Sequence, residues 1–579
     1  MKFLLTIPAV LMTILAFSQP IDKPFVKLVG LTSEHNEVRA SRQFIVGSTC
    51  KSCALSINDE TVKVYGSGAF AHELNLKPGD TSFKIVAFFP PDRTAIKTVT
   101  YNYTLPPPPD TVKTLEIAGI ETFPEGNMFV IPGDRIKFRV KALSGATVTA
   151  NKNIPLYEMK DNKMPGIYQG EYLVKETDDF LVSKIPITIT DSAGKSVSRE
   201  SKYWVSMFGP LAPDIAVTKG RLAHLLFGLG DDRLGGAKIG YLDSMIALKV
   251  IGKVGSNYKV QLSKYRTAYI PDDLVEFLPK GSFTPESLTS NWRVYGDAKY
   301  DYVALGLSAR LPYQSMQLVD PSKIVVDVFG ATNNTNWITQ LENTKEIKNV
   351  FYEQAEDGVF RITIELKHAQ HWGHQIYYRG NQLIVKIKQQ PEELSLNKLV
   401  IAVDAGHGGT NVGAGGPTGS SEKALALAVS LKLQKSLEKA GAKVIMTRTT
   451  ETFVDNKDRI LFYRDSVPDL LISIHLNSAA DPVRVSGTST YYRYIGFRDL
   501  SHSIYKRMLE LGLKEYGNVG SFNFMLNSPT EYPNALVETV FISNPEDEMK
   551  IMDEAFQQQM ADKIVLGVKD FLEGVKKRN

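Results

Sequence analysis

Two grammars of apolar and polar positions divide the chain. From Pro24 to about residue 390, short runs alternate apolar and polar with period two and are broken by Gly, Pro, Asn and Asp, as in VKVYGSGAFAHELNLKPGDTSFKIVAFF. Strict alternation sends successive side chains to opposite faces, so these runs predict half-buried strands joined by turns. From Lys398 onward the pattern changes to short apolar runs alternating with stretches of helical spacing. Strands are predicted at 399–404, 443–447, 470–475, 488–493 and 535–541, and helices at 422–440, 456–465, 498–515 and 546–575. That alternation predicts an α/β domain whose mainly parallel sheet is covered on both sides. The expected fold class is therefore multidomain, with several all-β modules followed by a C-terminal α/β domain.

Breaks in the pattern set the expected boundaries. Residues 19–106 read as a small β-sandwich resembling bacterial immunoglobulin-like modules, closed by the four prolines Pro106–Pro109, a stiff spacer. Residues 110–206 read as a second sandwich, in which IPGDRIKFRVKA echoes the earlier KPGDTSFKIVAFF. Pro210 and Pro213 mark the next boundary. Residues 214–282 hold five short predicted strands with Gly/Ser/Asn turns and resemble a small Src-homology-3-like (SH3-like) barrel, a type often used to hold cell-wall peptide or glycan. Residues 290–390, with YVALGLSARLPYQSMQLV, KIVVDVFG, GVFRITIELKH and NQLIVKIK, resemble in pattern the AMIN module that precedes cell-wall amidases. His368, His371 and His374 recur there at every third residue. On a strand that spacing puts neighbours on opposite faces, so a shared metal is not expected. After the linker Gln389–Asn397 comes the α/β domain, 398–579.

Composition changes the picture in three places. A length of 579 residues demands several domains. The net charge of +4 comes without a basic stripe, which argues against nucleic acid as a partner. Residues 1–18 combine Lys2, the apolar run Phe3–Phe17 and the small residues Ala16 and Ser18, the pattern of a cleaved signal peptide. No cysteine follows it as a lipid anchor would need, and no later run is long enough to span a bilayer. The expectation is a periplasmic protein with no transmembrane segment in its mature form. The two cysteines, Cys50 and Cys53, are flanked by strand-like sequence and predict a small structural disulfide in an oxidising compartment.

The candidate chemistry lies in the last domain. The run LVIAVDAGHGG ends a buried strand in a Gly-rich turn that carries His407. Glu422 opens the amphipathic stretch EKALALAVSLKLQKSLEKAG, where Ser420 or Ser421 offers a cap. His475 ends the apolar strand LLISIH, and Glu538 lies within ALVETVF. Burying His475 and Glu538 in separate apolar strands is costly unless each finds a partner, and a shared metal at the strand ends would satisfy them together. Two histidines and a glutamate leave a fourth position open on zinc, as in catalytic sites, while a second carboxylate is available to take a proton from water. No G-x-S-x-G occurs and both cysteines lie far away, which disfavours a nucleophilic hydrolase.

VDAGHGG, the Ser-Glu-Lys before a helix, SIHLNS and ALVETVFISNPEDE, in that order, resemble the four motifs of the zinc-dependent N-acetylmuramoyl-L-alanine amidases over about 398–575. The resemblance implies His407, Glu422 and His475 as zinc ligands and Glu538 as the catalytic base. It also implies a peptidoglycan substrate, cut at the amide between the lactyl group of N-acetylmuramic acid and L-alanine. Two departures stand out: Asn411 where these enzymes often carry Asp, and Val540 in place of a small residue. Neither is a ligand, so both bear on substrate detail. The segment 477–532 shows no room for the blocking helix of some relatives, so an open site is expected, with activation by a protein partner through the β modules as the alternative. Competing readings are a wall-binding scaffold that keeps an amidase fold, and a zinc amidase acting on another bond of the stem peptide.

Overall fold

The computed structural model describes residues 23–578 except 32, 106–110, 152, 160–164, 179–180, 209–213 and 231–233. The expected signal peptide, the Pro106–Pro109 spacer and the boundary prolines Pro210 and Pro213 lie outside the described residues.

The first β module pairs a three-stranded sheet (27–28, 42–48, 69–75) with a five-stranded one (35–38, 93–103, 79–89, 54–57, 60–62). Ile45, Leu55, Phe70, Ile85 and Tyr101 from both sheets form its core. Alternation along 93–103 and 79–89 supplies one apolar face each, as the period-two pattern requires. Cys50 and Cys53 form a disulfide in the turn between strands 42–48 and 54–57.

The next two expected units share one sheet. Met128–Val130 pairs in parallel with the strand Ser196–Met207 and, on its other side, antiparallel with Ala247–Val254. Hydrogen bonds therefore run without a break from the second module into the barrel region, across the boundary expected near 206–214. The barrel region holds more strands than the five expected, with 214–218, 224–226, 238–241, 247–254, 257–261, 267–271 and 275–277 described. Its apolar core is also continuous with that of 292–388: Leu248, Val260 and Ile270 belong to the same cluster as Trp292, Val326 and Phe360. Residues 292–388 form a five-stranded sheet (338–340, 292–296, 300–306, 382–388, 374–379) and a four-stranded one (313–319, 322–329, 359–366, 347–356).

The C-terminal domain is a six-stranded sheet with β1 (Val400–Ala405), β2 (Lys443–Ile445), β3 (Leu470–Asn477), β4 (Thr488–Tyr491), β5 (Glu515–Val519) and β6 (Asn534–Phe541) in the order β2-β1-β3-β6-β4-β5. The first four in that order run parallel, while β4 runs antiparallel to β6 and carries β5 with it. Five α-helices accompany the sheet: α1 (Glu422–Lys439), α2 (Asn456–Ser466), α3 (Arg498–Leu509), α4 (Pro545–Met552) and α5 (Glu554–Arg578). Val429, Leu433, Leu437, Ile504, Met508, Ile564 and Phe571 join β1, β3 and β6 residues in one core. Each such side chain contributes roughly 1.5–3 kcal/mol on burial.

Two predicted helices and one predicted cap differ. The helix expected over 498–515 ends at Leu509, and its last residue, Glu515, instead begins β5. Gly512, at φ 71°, adopts the left-handed conformation that ends a helix at no steric cost. The long helix expected over 546–575 is two, because Asp553 is extended (ψ 118°) and its side chain accepts the N–H of Ala555, ending α4 and starting α5. Ser421 precedes α1 but makes no capping bond. The first helical N–H groups go to loop carbonyls, Glu422 N to Ala414 O and Lys423 N to Val412 O. Ser420 turns instead to Glu548.

The β modules are packed onto this domain. Trp372 sits in its core, with its ring 5.9 Å from that of Phe571, and His374 N donates to Thr530 O. Glu73 of the first module pairs with Arg484 at 3.0 Å, and Arg221 of the barrel region pairs with Asp465. The three histidines of HAQHWGH diverge. His368 meets Glu346 at 2.7 Å, His371 donates to Leu318 O, and His374 meets Ser315 Oγ.

Burial at this junction pushes His371 down to about 4 and His374 to about 3. Each is neutral when folded and takes up a proton near pH 6.5 when unfolded. The unfolded chain therefore binds more protons between those values. Stability from these histidines is complete above pH 6.5 and is lost progressively as pH falls toward 4 and 3. Thermal unfolding followed from pH 7 to 4 is expected to show a falling midpoint, and a smaller fall in His374→Gln.

Candidate metal centre

β1 is apolar and buried on both sides up to Asp404, and the chain then turns through Gly406 to His407. A Cβ at Gly406 would lie 2.5 Å from the His475 ring, so only glycine lets the turn pass beneath that imidazole. His407 itself has φ 59°, an uncommon backbone for a side-chain-bearing residue, held by its surroundings. Glu422 enters from the first turn of α1, and His475 from near the end of β3. The Glu422 Oε1 atom lies 3.0 Å from both His407 Nε2 and His475 Nδ1. Ligand atoms of the three residues all fall within 4.8 Å of one another. The structure thus brings together the three residues singled out in the sequence.

The register places Glu538 beside them. His475 of β3 pairs with Glu538 of β6, and Glu538 pairs in turn with Ser489 of β4, so the three stand in one row across neighbouring strands. Glu538 is buried, and its backbone carbonyl accepts the hydroxyl of Thr488. Tyr491, two residues beyond Ser489, stacks edge-on with Phe522 and Phe524 of the loop before β6. Asn523, between those rings, donates to Gly236 O of the barrel region at 3.1 Å. The aromatic wall near Glu538 is therefore tied to a β module.

Electrostatics match a cation site. Burial alone would push the Glu422 carboxyl up, but hydrogen bonds from His407 and His475 hold it well below the ordinary carboxylate range. Burial lowers His407, and the adjacent Glu422 more than reverses this. A buried anion between two imidazoles is the donor set for a borderline-soft divalent ion such as zinc. The cradle is also closed to anything larger than hydrogen at Gly413, where a Cβ would meet Glu422 Oε2 at 2.5 Å and His407 at 2.9 Å. The residues present fit the metal.

Several contributors escaped sequence reasoning. Asn411 Oδ1 lies 2.9 Å from His407 Nδ1, so it accepts the ring N–H and leaves Nε2 as the donor atom. Its expected bearing on substrate detail thus gives way to a bearing on ligand orientation. Val540 is fully buried in the core. Asp404, at 0% exposure, is bound by Arg459, Thr447, Tyr463 and Ser473. An acid inside an apolar strand was the signal available for Asp404, the same one that pointed to Glu538. For Arg448 and Arg459 the pattern carried no signal.

Residues 401–570 match the sequence profile of the family described as N-acetylmuramoyl-L-alanine amidase, and residues 291–387 that of the AMIN domain. Residues 401–570 thus carry an N-acetylmuramoyl-L-alanine amidase domain, and residues 291–387 an AMIN domain. A protein of Staphylococcus aureus named "Probable cell wall amidase LytH" is 34% identical over 180 residues, which is 31% of this chain and 60% of the relative. The chain thus spans about 60% of the length of the curated relatives it matches. The crystal structure of N-acetylmuramoyl-L-alanine amidase from Clostridium difficile 630 is 31% identical, with 31% of this chain and 98% of that chain covered and a TM-score of 0.30. The catalytic domain of CwlV, an N-acetylmuramoyl-L-alanine amidase from Bacillus (Paenibacillus) polymyxa var. colistinus, is 30% identical, with 30% and 98% covered and a TM-score of 0.29. The chain is multidomain, with a mostly β N-terminal region that includes an AMIN domain, followed by an α/β amidase domain. Among the described residues, no helix is long and apolar enough to cross a membrane.

Proposed function

We propose that this chain is an exported, zinc-dependent peptidoglycan amidase that hydrolyses the amide between the lactyl group of N-acetylmuramic acid and the L-alanine of the stem peptide. The observation that carries the reading is the convergence of His407, Glu422 and His475 on one point, with Glu538 in register beside His475. His407, Glu422 and His475 would hold the ion. When bound, it supplies Lewis acidity, polarising the scissile carbonyl and lowering the pKa of an attacking water.

The protein's own part is arrangement and proton transfer. Glu538, fixed by the sheet and shielded from bulk water, accepts a proton from the attacking water and returns it to the departing alanine nitrogen. Asn411 keeps the His407 ring in one tautomer and orientation. Tyr491, on the strand that pairs with β6 at Glu538, packs edge-on against Phe522 and Phe524. The AMIN domain supports placement on the cell wall, and with it an extracytoplasmic and, in this reading, periplasmic location.

The same reading holds that the site works without displacement of a blocking helix. Among the described residues the α-helix between His475 and Glu538 is α3, and its Leu500, Ile504 and Met508 are packed into the core. The test is digestion of purified peptidoglycan by the zinc-loaded full chain, with products identified by mass spectrometry. Stem peptides beginning at L-alanine are expected. Cuts elsewhere in the stem would overturn the assigned bond, and zinc binding without any release would favour the scaffold reading.

A further inference from the structure

Two buried arginines converge on the backbone that carries the first two ligands. Arg448, at 3% exposure, donates from Nε to Ala405 O at 2.9 Å, from one terminal nitrogen to Gly406 O at 2.6 Å and Lys423 O at 3.0 Å, and from the other to Thr450 O at 3.1 Å. Arg459, at 1% exposure, reaches Asp404, Ala405 O at 2.6 Å and His407 O at 2.5 Å. Three consecutive carbonyls, those of 405, 406 and 407, are thus taken by guanidinium groups. Lys423 directly follows Glu422. One Arg448 side chain therefore bonds both the turn that carries His407 and the helix start that carries Glu422.

Placing two guanidinium groups side by side in the interior, with Asp404 the carboxylate bound there, is costly unless their donors are used. A simpler core could be built from apolar residues. What the pair achieves is geometric, since a planar fork with several donors fixes carbonyl directions that a point charge leaves free. The left-handed backbone of His407 is the feature that needs such fixing, because it persists only where the surroundings over-determine it.

We propose that Arg448, backed by Arg459, is a positioning residue for metal ligation: its guanidinium fork locks the His407 turn to the start of the Glu422 helix, so that two of the three ligands are set before an ion arrives. His475 needs no such device, because β3 is already hydrogen-bonded to β1 and Gly406 N donates to Ile474 O. The inference rests on the zinc reading of the site and adds a role for residues that touch neither ion nor substrate.

The test is zinc affinity of the full chain, measured by competition with a chromophoric chelator, for the parent, Arg448→Lys and Arg448→Gln. Circular dichroism of the metal-free forms reports whether each is folded. Lysine keeps the charge and loses the fork, so an effect of charge alone leaves Arg448→Lys close to the parent. The expected result is zinc binding weaker by about 10–100-fold in both variants while they remain folded, the range for loss of a group that orients a ligand. A folded Arg448→Lys that binds zinc within about two-fold of the parent overturns the proposal. So does failure of both variants to fold, which would make Arg448 a folding element. A parent chain that binds no zinc refutes the metal reading itself and is told apart by that control.

Discussion

Replacing Glu538 with glutamine is expected to slow release of stem peptides by about 10²–10⁴-fold, the usual worth of a positioned general base, while zinc still binds one ion per chain. The separation of the two effects follows from the layout. Glu538 stands on β6, one strand away from the nearest proposed ligand, His475, and lies outside the cluster formed by His407, Glu422 and His475. The amide of glutamine fills nearly the same volume in the buried row between His475 and Ser489, so the sheet is not expected to move. Rate and metal content measured on the same preparation decide the matter. A variant that turns over at the parent's rate would remove Glu538 from the mechanism. One that loses its zinc would move Glu538 into the ligand set.

Glu422→Ala is expected to have the larger effect on the metal. Glu422 Oε1 is the atom that both imidazoles approach, and its carboxylate also accepts the N–H groups of Ala414 and Leu476. Its removal takes away the charge that draws a dication into a partly buried pocket and leaves two backbone donors without their acceptor. Zinc affinity should drop by more than the roughly 10–100-fold that loss of an orienting neighbour costs, with activity falling to background. The thermal midpoint provides an independent measure. In the parent, zinc at about 100 times its dissociation constant stabilises the folded state by about 2.7 kcal/mol. The variant should show almost no shift on adding zinc or on adding a chelator. A shift equal to the parent's would mean that the ion sits elsewhere.

Much of the catalytic domain is legible in the chain because its signals are local. An apolar run has to be a covered strand, an amphipathic stretch has to lay one face on the sheet, and a charged or imidazole group at the end of such a run is costly without a partner. Those rules place β1, β3, β6, α1 and α2 and give His475 and Glu538 a burial cost, while the resemblance to the four amidase motifs is what joins His407 and Glu422 to them. They misjudge elements whose limits depend on one residue's backbone. Gly512 stops α3 early, and Asp553 divides the last helix because its side chain competes for the N–H of Ala555. They also overlook β5, a short edge strand containing Gly517, since an edge strand buries too little to impose alternation.

What only the tertiary structure decided is set by contacts between residues far apart in the chain. Arg448 and Arg459 lie well beyond His407 in sequence, and nothing in their neighbourhoods marks them as clamps on its carbonyls. Asn411 reads as a substitution of minor consequence until its carbonyl is found on the His407 ring. The strand 128–130 fuses two modules that punctuation alone separates, because pairing partners in a sheet are chosen by edges that meet in space. Residue types and periodicity determined which groups must be buried and which of them needed a partner. Which partner each received, and in what geometry, was decided by the packing of the whole chain.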